Sequence, residues 1–221
     1  MRGVTPEIPY RIRRSTRARR VRVSVDAESG VEVVLPPRAA ERDAADAMAE
    51  LRPWVLKRLR TLERARTELG LREGVARYLG AELLLVPQRG RSRVTRAGDR
   101  LLVPAAEPRP ALERWYRRRA RTEVAPRLDA ACAAAGTDYS KLTIRGQRTR
   151  WASCAASGAM SFNWRLLLAP APVLDSVVWH EVCHLEVPDH SARFWALLGE
   201  RCPDYDEHHR WLRRYGPTLV L

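Results

Sequence analysis

The sequence predicts an α+β fold, and three observations predict it. Short stretches that alternate apolar and polar residues between turn residues read as strands. Longer stretches without such punctuation, several of them opened by proline, read as helices. Hydrophobic residues make up 45% of the 221, ample for a packed core and against bulk disorder.

The elements follow in order. Val21-Arg22-Val23-Ser24-Val25 alternates, as does Val31-Glu32-Val33, and Asp26 to Gly30 supplies turn residues between them. A β-hairpin is expected, ended by Pro36-Pro37. Ala39 to Leu51 and Pro53 to Leu69 read as two helices, the second opened by Pro53, with Trp54, Leu59 and Leu62 as its buried face. A second β-rich passage runs from Tyr78 through Leu83, Val86 and Val94 to Val103, with Gly90 and Gly98 at its turns. Pro104 to Pro110 reads as a linker. The expected organisation is therefore a basic N-terminal hairpin-and-helix region, 1–104, and a second domain, 111–221. Ala111 to Ala135 reads as a long helix with Trp115, Val124 and Leu128 near one side and Arg117-Arg118-Arg119 as a solvated face. Leu142-Thr143-Ile144 and Met160-Ser161-Phe162 read as strands flanking a loop at Trp151. Helices are expected after Pro170 and Pro172, from Ser191 to Glu200, and from Asp204 to Arg214. No internal repeat or low-complexity tract is present.

Charge and cysteine content narrow the class. Formal net charge is +14, with 38 arginines and two lysines, Lys57 and Lys141. The excess is uneven: residues 1–110 hold 24 basic and 14 acidic groups, and 111–221 hold 16 and 12. Such a surface admits a nucleic-acid or acidic partner. Cys132, Cys154, Cys183 and Cys202 show no C-x-x-C spacing, which argues against a disulfide framework or a second metal site. The charged run from Arg11 to Arg22 leaves no apolar core for a secretory signal. Leu166 to Leu174 is too short to span a bilayer. A cytoplasmic protein without a membrane partner is expected.

The chemistry concentrates in His180-Glu181-Val182-Cys183-His184, followed by His190; three of the five histidines fall in these eleven residues. Histidines four apart on a helix share one face, so His180 and His184 can reach one metal ion, with Glu181 placed to take a proton from water. Pro188 stops the helix, and a turn at Val187-Pro188-Asp189 can return His190 as a third ligand, with the fourth position left for water. The His184–His190 spacing equals that of the metzincin pattern. However, Val187 stands at that pattern's turn glycine, and no methionine follows the site, which rules out a Met-turn. His208 and His209 are adjacent, cannot both face one metal from a helix, and read as solvent-facing.

The surrounding residues are more specific. Arg150-Trp151-Ala152-Ser153-Cys154, the turn at Gly158, Phe162-Asn163-Trp164-Arg165-Leu166, the histidine motif, Asp189-His190-Ser191 and Phe194-Trp195 follow one another. This order resembles the YgjP-like zinc metallopeptidase family, continuously from about Lys141 to Trp211 and more loosely toward the N-terminus. The family is similar in its core to the SprT-like and WLM-type proteases. Ala152 stands where the family has glycine, and Asp189 where it has asparagine. The resemblance implies a zincin-like core in which His180, His184 and His190 bind Zn2+ and Glu181 is the catalytic general base in peptide-bond hydrolysis. The strand near Met160 to Trp164 is the expected edge strand for an extended peptide substrate. The competing expectation is a basic nucleic-acid- or protein-binding module braced by a structural zinc, or a DNA-associated protease that combines both. Arg148, Arg150 and Arg165 lie near the motif without an assigned role.

Overall fold

The computed structural model describes residues 7–147 and 149–221. The fold is α+β, and the chain divides into two compact units after Gly70. The expected linker at 104–110 lies inside the second unit. Its prolines end a strand at Pro104 and open a helix at Pro108, two positions where a missing N–H costs little.

In the first unit, β1 (Tyr10–Arg14), β2 (Arg22–Asp26) and β3 (Gly30–Leu35) form a sheet in the order β1-β3-β2. The hairpin expected from the alternation is β2–β3, antiparallel, with Val23 opposite Val33 and Val25 opposite Val31. β1 lies within the arginine-rich run and pairs parallel to β3. Four of its five side chains are exposed, and Arg13 pairs with Glu32 at 3.1 Å.

One helix, α1 (Arg42–Glu68), replaces the two expected, with Pro53 inside it. The apolar stripe explains the continuity: Ala44, Met48, Val55, Leu62 and Ala65 are buried at helical spacing on both sides of the proline. Trp54 points off that stripe and is 46% exposed, so Val55 rather than Trp54 carries the buried face.

The second unit holds two sheets and four helices among the described residues. The first sheet comprises β4 (Val75–Tyr78), β5 (Ala81–Gln88), β6 (Thr95–Ala97) and β7 (Arg100–Pro104), ordered β4-β5-β7-β6. The long helix α2 (Pro108–Ala135) follows and buries Trp115, Tyr116, Val124 and Leu128. Strands β8 (Lys141–Arg145), β9 (Ala152–Cys154) and β10 (Ala159–Asn163) form the second sheet. β10 is its central strand, parallel to β8 and antiparallel to β9. It is therefore not available as the edge expected for a substrate; β9 and β8 are the edges.

A 3₁₀ turn, Trp164–Leu168, leads through Pro170 into α3 (Ala171–Cys183). α4 (Ala192–Arg201) and α5 (Tyr205–Tyr215) complete the unit. Arg127 of α2 ties α3 in place through Asp175, at 2.8 Å. No described helix is long and apolar enough to cross a membrane. All four cysteines are free.

Candidate metal centre

α3 carries the motif. It is apolar enough to bury Val173, Leu174, Val178, Val182 and Cys183, which leaves His180 and His184 on its half-exposed face. The last helical residue is Cys183, but His184 keeps helical backbone angles (φ −68°, ψ −17°), so the one-turn relation to His180 survives. Hydrogen bonds from the Glu186 and Val187 amides to the Cys183 carbonyl then turn the chain back. His190 follows on the returning segment, where the Ser191 amide donates to Asp189 Oδ1 at 3.0 Å. Asp189 thus braces the loop, and hydrogen bonds from the Ser191 hydroxyl and then the Ser191 amide lower its carboxyl pKa.

The three imidazoles converge. The Nε2 atoms of His184 and His190 lie 3.2 and 3.1 Å from that of His180. Tetrahedral zinc with bonds of about 2.0 Å needs ligand atoms roughly 3.3 Å apart, so the spacing suits such an ion. His184 Nδ1 donates to the Val187 carbonyl at 3.1 Å, which leaves the Nε2 lone pair toward the cluster. Burial, then the charges of His184 and His190, push His180 down to about 4, and burial lowers His184. Neutral imidazole, the ligating form, therefore prevails at neutral pH. His180, His184 and His190 form the metal-capable cluster found among the described residues.

Aromatic rings fix this arrangement from α4. Phe194 is fully buried and touches all three imidazoles, and Trp195 stacks on His190 with centroids 5.4 Å apart. Cys183 is buried in the same apolar cluster, in keeping with a packing role.

Glu181 is only 5% exposed. Burial raises its carboxyl to about 7, against the opposing effects of the Arg150 charge and a hydrogen bond from the Cys154 amide of β9. Its Oε2 has no hydrogen-bond partner among the described residues. An unsatisfied carboxylate oxygen on a residue that lines the same cleft as His180 is a group that a water or a cation would satisfy.

The remaining arginines separate. Arg150 acts on Glu181 through its charge, whereas the Arg165 guanidinium lies over the Trp164 ring at 4.6 Å. Arg148 lies outside the described residues. Asn163 positions the loop that bears Arg150 and Trp151: its Nδ2 donates to the Gln147 and Arg150 carbonyls.

A cleft of about 200 Å³ opens beside His180 and Glu181, walled by Trp151, Ala152, Val177, Leu198, Tyr205, His209 and Leu212. His209 is exposed, as expected, yet it faces this cleft; His208 is half-buried. This wall is assembled from separate elements, so no local pattern announces the whole of it. The spacing of Tyr205 and His209, one turn apart on α5, is the local signal within it.

A helix bearing H-E-x-x-H, with a third histidine folded back beside it, defines a metallopeptidase core. The family model described as YgjP-like, metallopeptidase domain, matches residues 19–215, and the chain belongs to that family. No curated protein sequence matches it. Among solved structures it is similar to the crystal structure of the metallopeptidase zymogen of Pyrococcus abyssi abylysin. That likeness has 22% identity and a TM-score of 0.36, over 41% of this chain and 96% of that one.

Proposed function

We propose that this metallopeptidase is zinc-dependent, with His180, His184 and His190 as ligands and Glu181 as general base in peptide-bond hydrolysis. The observation that carries the reading is the convergence of three Nε2 atoms, one of them on His180, which shares its cleft with Glu181 and its unpartnered Oε2. Three imidazoles suit zinc among the divalent metals. When bound, the ion would supply a Lewis acid and lower the pKa of water.

Glu181 takes the proton of the attacking water on Oε2 and passes it to the leaving amine, while the Cys154 amide holds the carboxyl in place. A carboxyl raised to about 7 suits both halves of that transfer. The substrate is a protein or peptide in extended form, laid along the edge strand β9. Ser153 lies opposite Ser161, and the Trp151 carbonyl and Ala155 amide bond to β10, so Ala152 and Cys154 turn their main-chain groups outward. The Cys154 amide is taken by Glu181, which leaves the Ala152 amide and carbonyl and the Cys154 carbonyl for the substrate.

Metal content by mass spectrometry, beside turnover of a denatured protein substrate, tests the reading. The parent should carry about one zinc per chain. His184→Ala should lose it, and Glu181→Gln should keep it and lose hydrolysis. Full activity in Glu181→Gln would sink the assignment.

A further inference from the structure

Away from the histidines, on the other sheet of the same unit, a groove of about 660 Å³ is lined by Arg96 of β6 and Arg118 and Arg119 of α2, with Thr95, Gly98 and Trp115. We infer that this groove binds a ligand carrying clustered phosphate groups, held by Arg96, Arg118 and Arg119.

Two of the three guanidinium groups are positioned rather than loose. Arg96 and Arg119 both lie over the ring of Tyr78, with centroid distances of 5.2 and 5.9 Å. Arg96 Nε donates to the Gly98 carbonyl at 2.9 Å, at the turn where Gly98 takes φ +62°. Arg119 Nε donates to the Tyr78 hydroxyl at 3.2 Å, and that hydroxyl donates to Glu123 at 2.8 Å. Both arginines are therefore anchored through Nε, the inner nitrogen; this leaves the terminal nitrogens of Arg96 for another acceptor, while one terminal nitrogen of Arg119 lies 3.6 Å from Glu123.

The charge balance of the groove calls for an anion. Glu123 pairs with Arg119 at 3.6 Å but is shared with Arg127, and no carboxylate among the described residues lines the groove. Among the described residues, no acceptor engages the terminal nitrogens of Arg96 or the guanidinium of Arg118. Three like charges around one concavity repel, and a bridging polyanion relieves that repulsion. Planar, forked donors spread over two elements match several phosphates better than a single carboxylate. The thin sequence signal, the Arg117-Arg118-Arg119 run, divides accordingly: Arg117 turns to Glu113 at 2.7 Å, while its two neighbours face the groove.

The test uses the full chain with two probes, tripolyphosphate and a fluorescent single-stranded oligothymidylate, titrated at low and raised salt. An Arg96→Ala/Arg118→Ala variant should weaken whichever probe binds by at least about tenfold. An Arg60→Ala/Arg64→Ala variant loses the same charge from α1 and should bind as the parent does. Oligothymidylate displaced by tripolyphosphate would identify the phosphates themselves as the recognised feature. Oligothymidylate binding alone would assign the groove to a nucleic-acid strand. The proposal is overturned if neither probe binds at low salt, or if both double variants weaken binding equally. Circular dichroism of each variant separates loss of binding from loss of fold. None of these readings depends on peptidase activity.

Discussion

Phe194 stacks on the His184 imidazole, with ring centroids 4.4 Å apart and planes inclined by 24°. The same ring meets His180 and His190 edge-on at 4.9 and 4.8 Å, so one buried side chain sets the attitude of all three candidate ligands. Phe194→Ala should lower stability by about 3–5 kcal/mol through the cavity it leaves. Zinc affinity should fall by about tenfold, as when a ligand's supporting contacts are removed. Denaturant unfolding and zinc competition with a chromogenic chelator measure the two effects. Unaltered zinc affinity in a folded variant would show that α3 alone orients the histidines.

The metal-free protein should hide one pH dependence behind another. His180 is pushed down from 6.5 to about 4, so between these values the unfolded chain binds more protons there, and acidification destabilises the fold. Glu181 is pushed up from 4.5 to about 7, so over that range the folded chain binds more protons, and acidification stabilises it. The two contributions oppose between pH 4.5 and 6.5. Glu181→Gln removes the second, and its chelator-treated form should lose stability more steeply than the parent as pH falls from 6.5 to 4. Equal slopes in urea unfolding at a series of pH values would contradict the opposition.

Gly216 sits where a side chain has no room. Its backbone is helical (φ −49°, ψ −42°), yet a Cβ there would lie 2.7 Å from the Trp151 ring. Gly216→Ala should therefore cost about 1–3 kcal/mol through overpacking rather than backbone strain. Because Trp151 walls the cleft, KM should rise more than kcat falls. A kcat effect alone, with KM unchanged, would separate Trp151 from substrate binding.

Pro53 should be a removable burden on α1. A proline in a helix interior costs roughly 3 kcal/mol, less the up to about 1 kcal/mol by which it restricts the unfolded chain. Pro53→Ala restores a donor to the Ala49 carbonyl and should stabilise the first unit by about 2 kcal/mol. Thermal unfolding checks this, and a lower melting temperature would mean that the helix depends on the proline.

What could be read in the chain was local. The β2–β3 hairpin has period-two alternation, and the His180–His184 relation is one helical turn, so neighbouring residues carry both signals. The strand β1 carries no local signal because its arginines face outward and its pairing with β3 arises some twenty residues away. Pro53 misled because a proline opens helices more often than it sits inside them; the buried stripe through Val55 overrode it. The placement of β10 at the centre of its sheet is set by long-range pairing, which no local pattern encodes. Tyr205 and His209 come from α5, and the fold brings that helix to the cleft.

The short turn from Ala155 to Gly158 acquires an unexpected importance. Gly158 takes φ +74°, its amide closes on the Ala155 carbonyl at 2.8 Å, and Ala155 in turn bonds to Ala159. That loop locks the frame of β9 against β10, and with it the position of the Cys154 amide that grips Glu181. A slip of one residue would turn the amide away and reverse every outward group of the strand. On the proposed reading, the turn works as a ruler: it sets which bond of a captured chain comes to rest opposite the carboxylate. Lengthening it by one residue should move the cut along the substrate or abolish it, with the histidines untouched.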